Sequence, residues 1–281
     1  MIIDFRLRPP LGNFPNMVMY DRDRNPFFAR LIGFEPAPSA VKLDMKMTLQ
    51  EMDEAGVTHA VIPGRTNNPV MGAVTNEQLK QMLLDYPGKF FSFAGVDPTD
   101  MKAALDIVQN EVVNGPFSGI NIEPGQLPWP QYAHDRRFYP LYDACQELDV
   151  PIIAMLGGNA GPDISFQDPA QIDRVMIDFP KLKVVISHGG WPYVTEILHV
   201  AWRRHNLYIS PDMYLFNFPG WQDYVTAANG YLQDRFLYGT SYPILPIVGC
   251  MEAFKKMPFK PEVMPKLLYK NAARLLKLDV A

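Results

Sequence analysis

The chain has 281 residues, 48% of them hydrophobic, and a formal net charge of −4. That length and apolar content can bury a large core, and one α/β barrel is a natural size for it. The acidic balance excludes nucleic acid as the main partner, since no basic excess exists to hold phosphates. No apolar run approaches the length of a membrane span, so no membrane partner is expected. Cys145 and Cys250 are too few and too far apart for a disulfide framework and are expected as packed thiols. The chain enters a strand at residue 2 without a basic region or signal core, and a cytoplasmic location is expected.

In chain order, short apolar runs predict strands at Ile2–Phe5, His59–Pro63, Phe90–Val96, Gly119–Ile122, Pro151–Leu156, Lys183–Ser187, Leu207–Ser210 and Phe236–Gly239. Helical patterns lie between them. Thr48-x-x-Glu51 reads as a capping box opening the first helix, which runs to Gly56. Further helices are expected over Asn76–Leu84, Asp100–Val113, Arg137–Leu148, Pro169–Asp178, Tyr193–Arg203, Trp221–Gln233, Val248–Lys256 and Glu262–Leu276. Alternating βα units with near-continuous apolar strands predict a parallel sheet, and eight of them predict an α/β fold closed into a single-domain (β/α)8 TIM barrel over residues 1–281. A doubly wound open sheet is the rival, weakened by the lack of a glycine-rich phosphate turn after any early strand. The one irregular stretch, residues 9–40, is rich in Pro, Asn and aromatics; as a long first βα loop it is expected to be a lid or an interface.

In such a barrel, chemistry sits at the C-terminal ends of the strands. Those ends carry Arg6 and Arg8, Arg65, Asp97, Asn121 and Glu123, Met155, His188, Asp212 and Ser241. A strand turns i and i+2 to one side, so Arg6 and Arg8 form a pair suited to an anion. His188 ends an apolar strand and is followed by Gly189-Gly190, which puts an imidazole at the mouth. With one histidine there, a zinc site would be carboxylate-rich and atypical. Glu123 and Asp212 read either as acid/base partners of His188 or as counter-ions of Arg6 and Arg8 in an internal ion network. Arg65 is a third anion contact or a solvated loop residue. Gly157 to Gly161 offers a backbone cradle or only a turn, with Asn159 as a donor. Met155, Met213 and Tyr214 line a pocket or simply pack. Trp191, Trp202 and Trp221 are expected to serve packing or a subunit contact.

Three stretches carry a resemblance: Ser187-His188-Gly189-Gly190, the run Phe236 to Pro243, and Tyr269-Lys270-Asn271-Ala272-Ala273-Arg274-Leu275. Over almost its whole length the chain resembles the amidohydrolase-related family, in the branch of aminocarboxymuconate semialdehyde decarboxylase, oxalomesaconate hydratase and pyrone-dicarboxylate lactonase. The resemblance implies a barrel, an enzyme and, at position 188, the family's catalytic histidine. It also implies four metal-ligand positions, and here they hold Arg6, Arg8, Met155 and Ser241 in place of three histidines and an aspartate. Guanidinium, thioether and hydroxyl do not make a hard divalent site.

The resulting expectation is a hydrolase that needs no metal or other cofactor and acts on a small carboxylated substrate of the lactone or activated-ester type. His188 serves as general base and Arg6 with Arg8 as a bidentate carboxylate and oxyanion clamp. Arg65, Glu123, Met155, Asn159, Asp212, Tyr214 and Ser241 are expected around the substrate. Decarboxylation or hydration is the alternative reaction, and a non-catalytic carboxylate-binding barrel the alternative class. The partner is a small anion, and a homo-oligomer is expected.

Overall fold

In a computed structural model, residues 1–279 are described. Seven strands form one parallel sheet in chain order: β1 Ile3–Asp4, β2 His59–Pro63, β3 Phe90–Gly95, β4 Gly119–Ile122, β5 Ile152–Met155, β6 Val184–Ser187 and β7 Leu207–Ser210. Helices α1 Arg24–Ile32, α2 Pro38–Lys42, α3 Met45–Ala55, α4 Asn76–Asp85, α5 Met101–Ile107, α6 Tyr139–Glu147, α7 Ala170–Asp178, α8 Val194–Arg203, α9 Trp221–Ala228, α10 Ile247–Lys256 and α11 Asn271–Leu275 lie among them. Each strand is buried on both faces because its side chains alternate between two cores. Ile3, Phe5, Val61, Phe93, Ile153, Val185, Tyr208 and Leu237 form an inner cluster, against which Ala272, Ala273 and Leu275 of the C-terminal helix pack. Ala60, Ile62, Ile120, Ile122, Ile152, Ala154, Val184 and Ile186 belong to the outer core under the helices.

Several expectations need correction. Phe236–Gly239 is not a strand; it makes one bridge, Ile209 to Phe236. Its backbone still faces two ways: Leu237 N donates to Ile209 O at 2.9 Å, and Phe5 N donates to Tyr238 O at 2.8 Å. The ladder stops there because Tyr238 N is taken by Leu267 O of the C-terminal region. No Thr48 capping box exists. Asp44 caps α3 by accepting from Met47 N, and Thr48 turns inward to the Tyr242 hydroxyl. A capping box does open α4, from Thr75 and Gln78. The helix expected to 113 finishes as a wide turn over Val108–Val113, and the one expected over 262–276 is split into Lys266–Lys270 and α11.

Residues 9–40 hold α1 and the start of α2, and they are tied to the strand ends. The Tyr20 hydroxyl donates to Arg8 O at 2.7 Å, and Asn25 Nδ2 donates to Pro243 O at 2.7 Å. A cavity of about 820 Å³ lies on this segment, lined by residues such as Met17, Tyr20 and Leu43, and none of the strand-end arginines borders it. Cys145 and Cys250 are free and buried, as expected. Among the described residues no helix is long and apolar enough to cross a membrane.

Candidate active site

The strand ends bring together Arg6, Arg8, Arg65, Glu123, His188 and Asp212, each of them at most 8% exposed. Arg6 and Arg8 do face the same side, with Leu7 turned to the outer core. Gly239 makes the room: a Cβ there would stand 3.3 Å from Arg6 Cβ. The backbone carrying both arginines is held on two sides, since Leu7 N donates to Val61 O of β2 and Arg8 N to Tyr242 O.

The arginines do not form one clamp. Arg6 belongs to His188 and Asp212. Its Nη2 is 3.1 Å from His188 Nε2 and its Nε is 3.4 Å from Asp212 Oδ2. His188 Nδ1 is 2.9 Å from Asp212 Oδ1, and Asp212 also accepts from the backbone N of His188 and of Met213. A carboxylate only accepts and a guanidinium only donates, so the two contacts fix the neutral tautomer: the proton sits on Nδ1 and the lone pair on Nε2. Burial first, then the charges of Arg6 and Arg8, lower the His188 pKa against the pull of Asp212. A helix start plays no part in this. His188–Gly190 is a three-residue turn, and α8 begins only at Val194.

Arg8 belongs instead to Glu123 and Arg65. Arg65 Nε donates to Glu123 Oε2 at 2.6 Å, and Asn68 Nδ2 to the same oxygen at 2.9 Å. Arg8 Nη2 stands 3.6 Å from Glu123 Oε1, an ion pair too long for a hydrogen bond, while its Nε donates to Pro63 O. Burial opposes the Glu123 charge, yet Arg65, Arg8 and Arg6 bring its pKa down to about 2. Burial, then the charges of Arg65 and Arg6, press the Arg8 pKa well below the usual arginine value. The mouth therefore buries three guanidiniums against Glu123 and Asp212, with His188 neutral. One positive charge is left over.

Other expected residues are placed less centrally. The Tyr214 ring meets His188 edge-on at 5.3 Å and stacks on Trp191 at 5.0 Å, so Trp191 serves packing, as expected, and does so behind the site. Gly158, at φ +62°, lies against the Tyr214 hydroxyl. Met155 is buried, paired in register with Ser187. Ser241 is buried with φ +61° and makes no side-chain hydrogen bond among the described residues. Asn159 is exposed and takes part only through its carbonyl, which accepts from Gln126 Nε2. His188, Asp212 and Ser241 share positive φ angles that side chains disfavour, and such backbone strain concentrates at functional sites. Sequence reading does not single out Asn68 or Gln126. Both lie in strand-end loops without a motif, and their closeness to Arg65 and Glu123 is the only signal they carry.

The amidohydrolase family pattern matches residues 3–278. The chain belongs to the amidohydrolase family. A solved structure of an uncharacterised TIM-barrel protein from Bordetella bronchiseptica is 46% identical, covers 98% of each chain and has a TM-score of 0.93. A 2-keto-4-carboxy-3-hexenedioate hydratase from a Sphingobium species is 31% identical over 125 residues, 35% of each chain. This chain thus aligns with about a third of that relative's length. A dihydroxybenzoic acid decarboxylase from a Polaromonas species, solved with manganese and 2-nitroresorcinol, is 17% identical over 100% of this chain and 98% of its own, with a TM-score of 0.67. At that identity the likeness is one of fold. The manganese has no counterpart donor set in this amidohydrolase-family chain: the four positions that the resemblance assigns to ligands hold two buried cations, a thioether and a hydroxyl. Among the described residues no three His, Cys, Asp or Glu side chains gather to hold an ion.

Proposed function

We propose that this protein is a metal-independent hydrolase of a small carboxylated lactone or activated ester, built on one closed (β/α)8 barrel. The observation that carries the reading is the neutral His188, proton on Nδ1 toward Asp212 and lone pair on Nε2 toward Arg6. A buried imidazole with a lowered pKa is a poor acid and a usable base near pH 7. Water taken up beside Nε2 loses its proton there as it attacks the carbonyl, and when the acyl–oxygen bond breaks Nε2 returns that proton to the departing alkoxide. Arg6 is then freed from the lone pair and donates to the oxygen that gathers negative charge. An activated carbonyl reacts without a Lewis acid, which suits a mouth whose cations are side chains. Arg8 and Arg65 hold the substrate's carboxylate, and the leftover positive charge is the reason an anion belongs there.

Hydration of a conjugated double bond is the second reading, favoured by the hydratase relative, and it uses the same base and the same guanidinium. Decarboxylation ranks below both because the carbanion it leaves must be protonated, and His188 is poised to take a proton. Turnover of carboxylated lactones, esters and enone acids in ¹⁸O-labelled water tests the order. Hydrolysis and hydration both place ¹⁸O in the product and differ in which bond is lost. His188→Asn should keep ligand affinity and lose about 10²–10⁴-fold in rate. Loss of CO2 without label, or full turnover by His188→Asn, would contradict the proposal.

A further inference from the structure

Helix α1 turns two faces to different surroundings. Asn25, Ala29 and Ile32 recur at helical spacing and are buried against the body of the protein. The opposite face carries Asp23, Phe27, Arg30 and Leu31, all exposed, with Phe28 beside it. Phe27 is 61% and Leu31 68% exposed, and Val41 and Leu43 add exposed apolar surface on the same segment. A single exposed apolar residue needs no explanation. Phe27, Phe28 and Leu31 on one short helix make a patch of the kind that protein interfaces cover.

The charges around the patch say what covers it. Asp21, Asp23 and Glu35 balance Arg22, Arg24 and Arg30 there. A helix that lies on a membrane carries an excess of cations, and this face has none. The order of the charges is more telling. Asp23 and Arg30 stand two turns apart on the exposed face, with Phe27 between them. The Asp23 side chain makes no hydrogen bond or ion pair among the described residues, and Arg30 has only the solvent-exposed Glu35, at 3.3 Å. A second α1 packed antiparallel about Phe27 sets its own Arg30 beside Asp23 and its own Asp23 beside Arg30. One two-fold operation therefore pairs both charges and joins the phenylalanines, which a second copy of this chain supplies without further design.

We infer that α1 is the centre of a two-fold homodimer contact, with Phe27 packed on the partner's Phe27 and Asp23 paired with the partner's Arg30. The contact bears on the mouth. The Tyr20 hydroxyl and Asn25 Nδ2 tie the same segment to Arg8 O and Pro243 O, so dimerisation braces the backbone that carries Arg8.

Sedimentation velocity of the full, tag-free chain is the test. The unmodified chain should be a dimer, and Phe27→Lys a folded monomer. Asp23→Arg and Arg30→Asp should each weaken the dimer about 10-fold, since either sets like charges together twice per dimer. The double variant, Asp23→Arg with Arg30→Asp, should recover most of that loss, which damage to the helix alone would not allow. Should Phe27→Lys fail to fold, the charge-swapped set decides alone. A chain that is monomeric at every concentration, whether or not it floats with anionic vesicles, overturns the inference. So does a dimer that survives Phe27→Lys, or a double variant no tighter than the single ones.

Discussion

Asp212 and Glu123 are both buried carboxylates beside arginine, yet their surroundings balance differently. Asp212 has one guanidinium, Arg6, and an imidazole that its bond keeps in one tautomer. Its acceptors are spent on His188 and on backbone amides, and nothing in that half calls for another charge. Glu123 has two guanidiniums, Arg8 and Arg65, and each keeps an unpaired nitrogen. The first half is balanced in charge, although Arg6 Nε makes no hydrogen bond among the described residues, and it is suited to moving a proton. The second is one negative charge short and suited to receiving one. The base stays neutral because burial and the charges of Arg6 and Arg8 outweigh the pull of Asp212 toward imidazolium.

The difference is most exposed by removing the shared counter-ion. Glu123→Gln leaves two buried guanidiniums without a carboxylate, and breaking a buried pair costs about 3–5 kcal/mol. In thermal melting this is a fall of roughly 6–15 °C in Tm, and a small carboxylate such as acetate should restore part of it in the variant. The pH dependence carries a definite sign. With a folded pKa of about 2 against 4.5 unfolded, Glu123 stabilises the fold above pH 4.5 and loses that contribution as pH falls toward 2. Asp4 runs the opposite way. Burial raises its pKa to about 6, so acidification below pH 6 favours the fold at that site. Since Asp4 is present in both proteins, the stability gap between wild type and Glu123→Gln should stay wide above pH 4.5 and close below it.

A smaller effect is expected on the side of the base. Gly158→Ala puts a Cβ at φ +62° against the Tyr214 hydroxyl, which should cost about 1–3 kcal/mol and disturb the ring that backs His188. Melting and ligand titration together report it: stability should drop while carboxylate affinity at Arg8 and Arg65 is kept. The smallest change belongs to Asn159→Ala. Its exposed side chain makes no hydrogen bond among the described residues, and stability and glutarate affinity should both stay within about 0.5 kcal/mol of wild type.

Much of this was legible in the chain. Seven strands fall within one or two residues of their expected bounds, because apolar runs buried on both faces read clearly. The Arg6 and Arg8 pairing on one side follows from strand periodicity, and His188 from an apolar strand that runs into glycines. What strand periodicity does not carry is the lateral assignment of side chains. Arg6 and Arg8 share a side, yet Arg6 turns to β6 and β7 and Arg8 to β2 and β4, since Asp212 and Glu123 pull them apart. Asn68 and Gln126 reach the site from loops whose course depends on tertiary packing. The helix start at Asp44 also differs from expectation, because caps compete locally and the fold chooses between them.

The central claim is that Arg8 and Arg65 hold a carboxylate without the help of a metal, and one titration tests it most directly. Tag-free protein in excess chelator is titrated with glutarate, alongside folded Arg8→Met. Saturable one-site binding by wild type in chelator, abolished in Arg8→Met, is the expected result. Binding that appears only after zinc or manganese is restored, or that persists unchanged in Arg8→Met, would contradict the account.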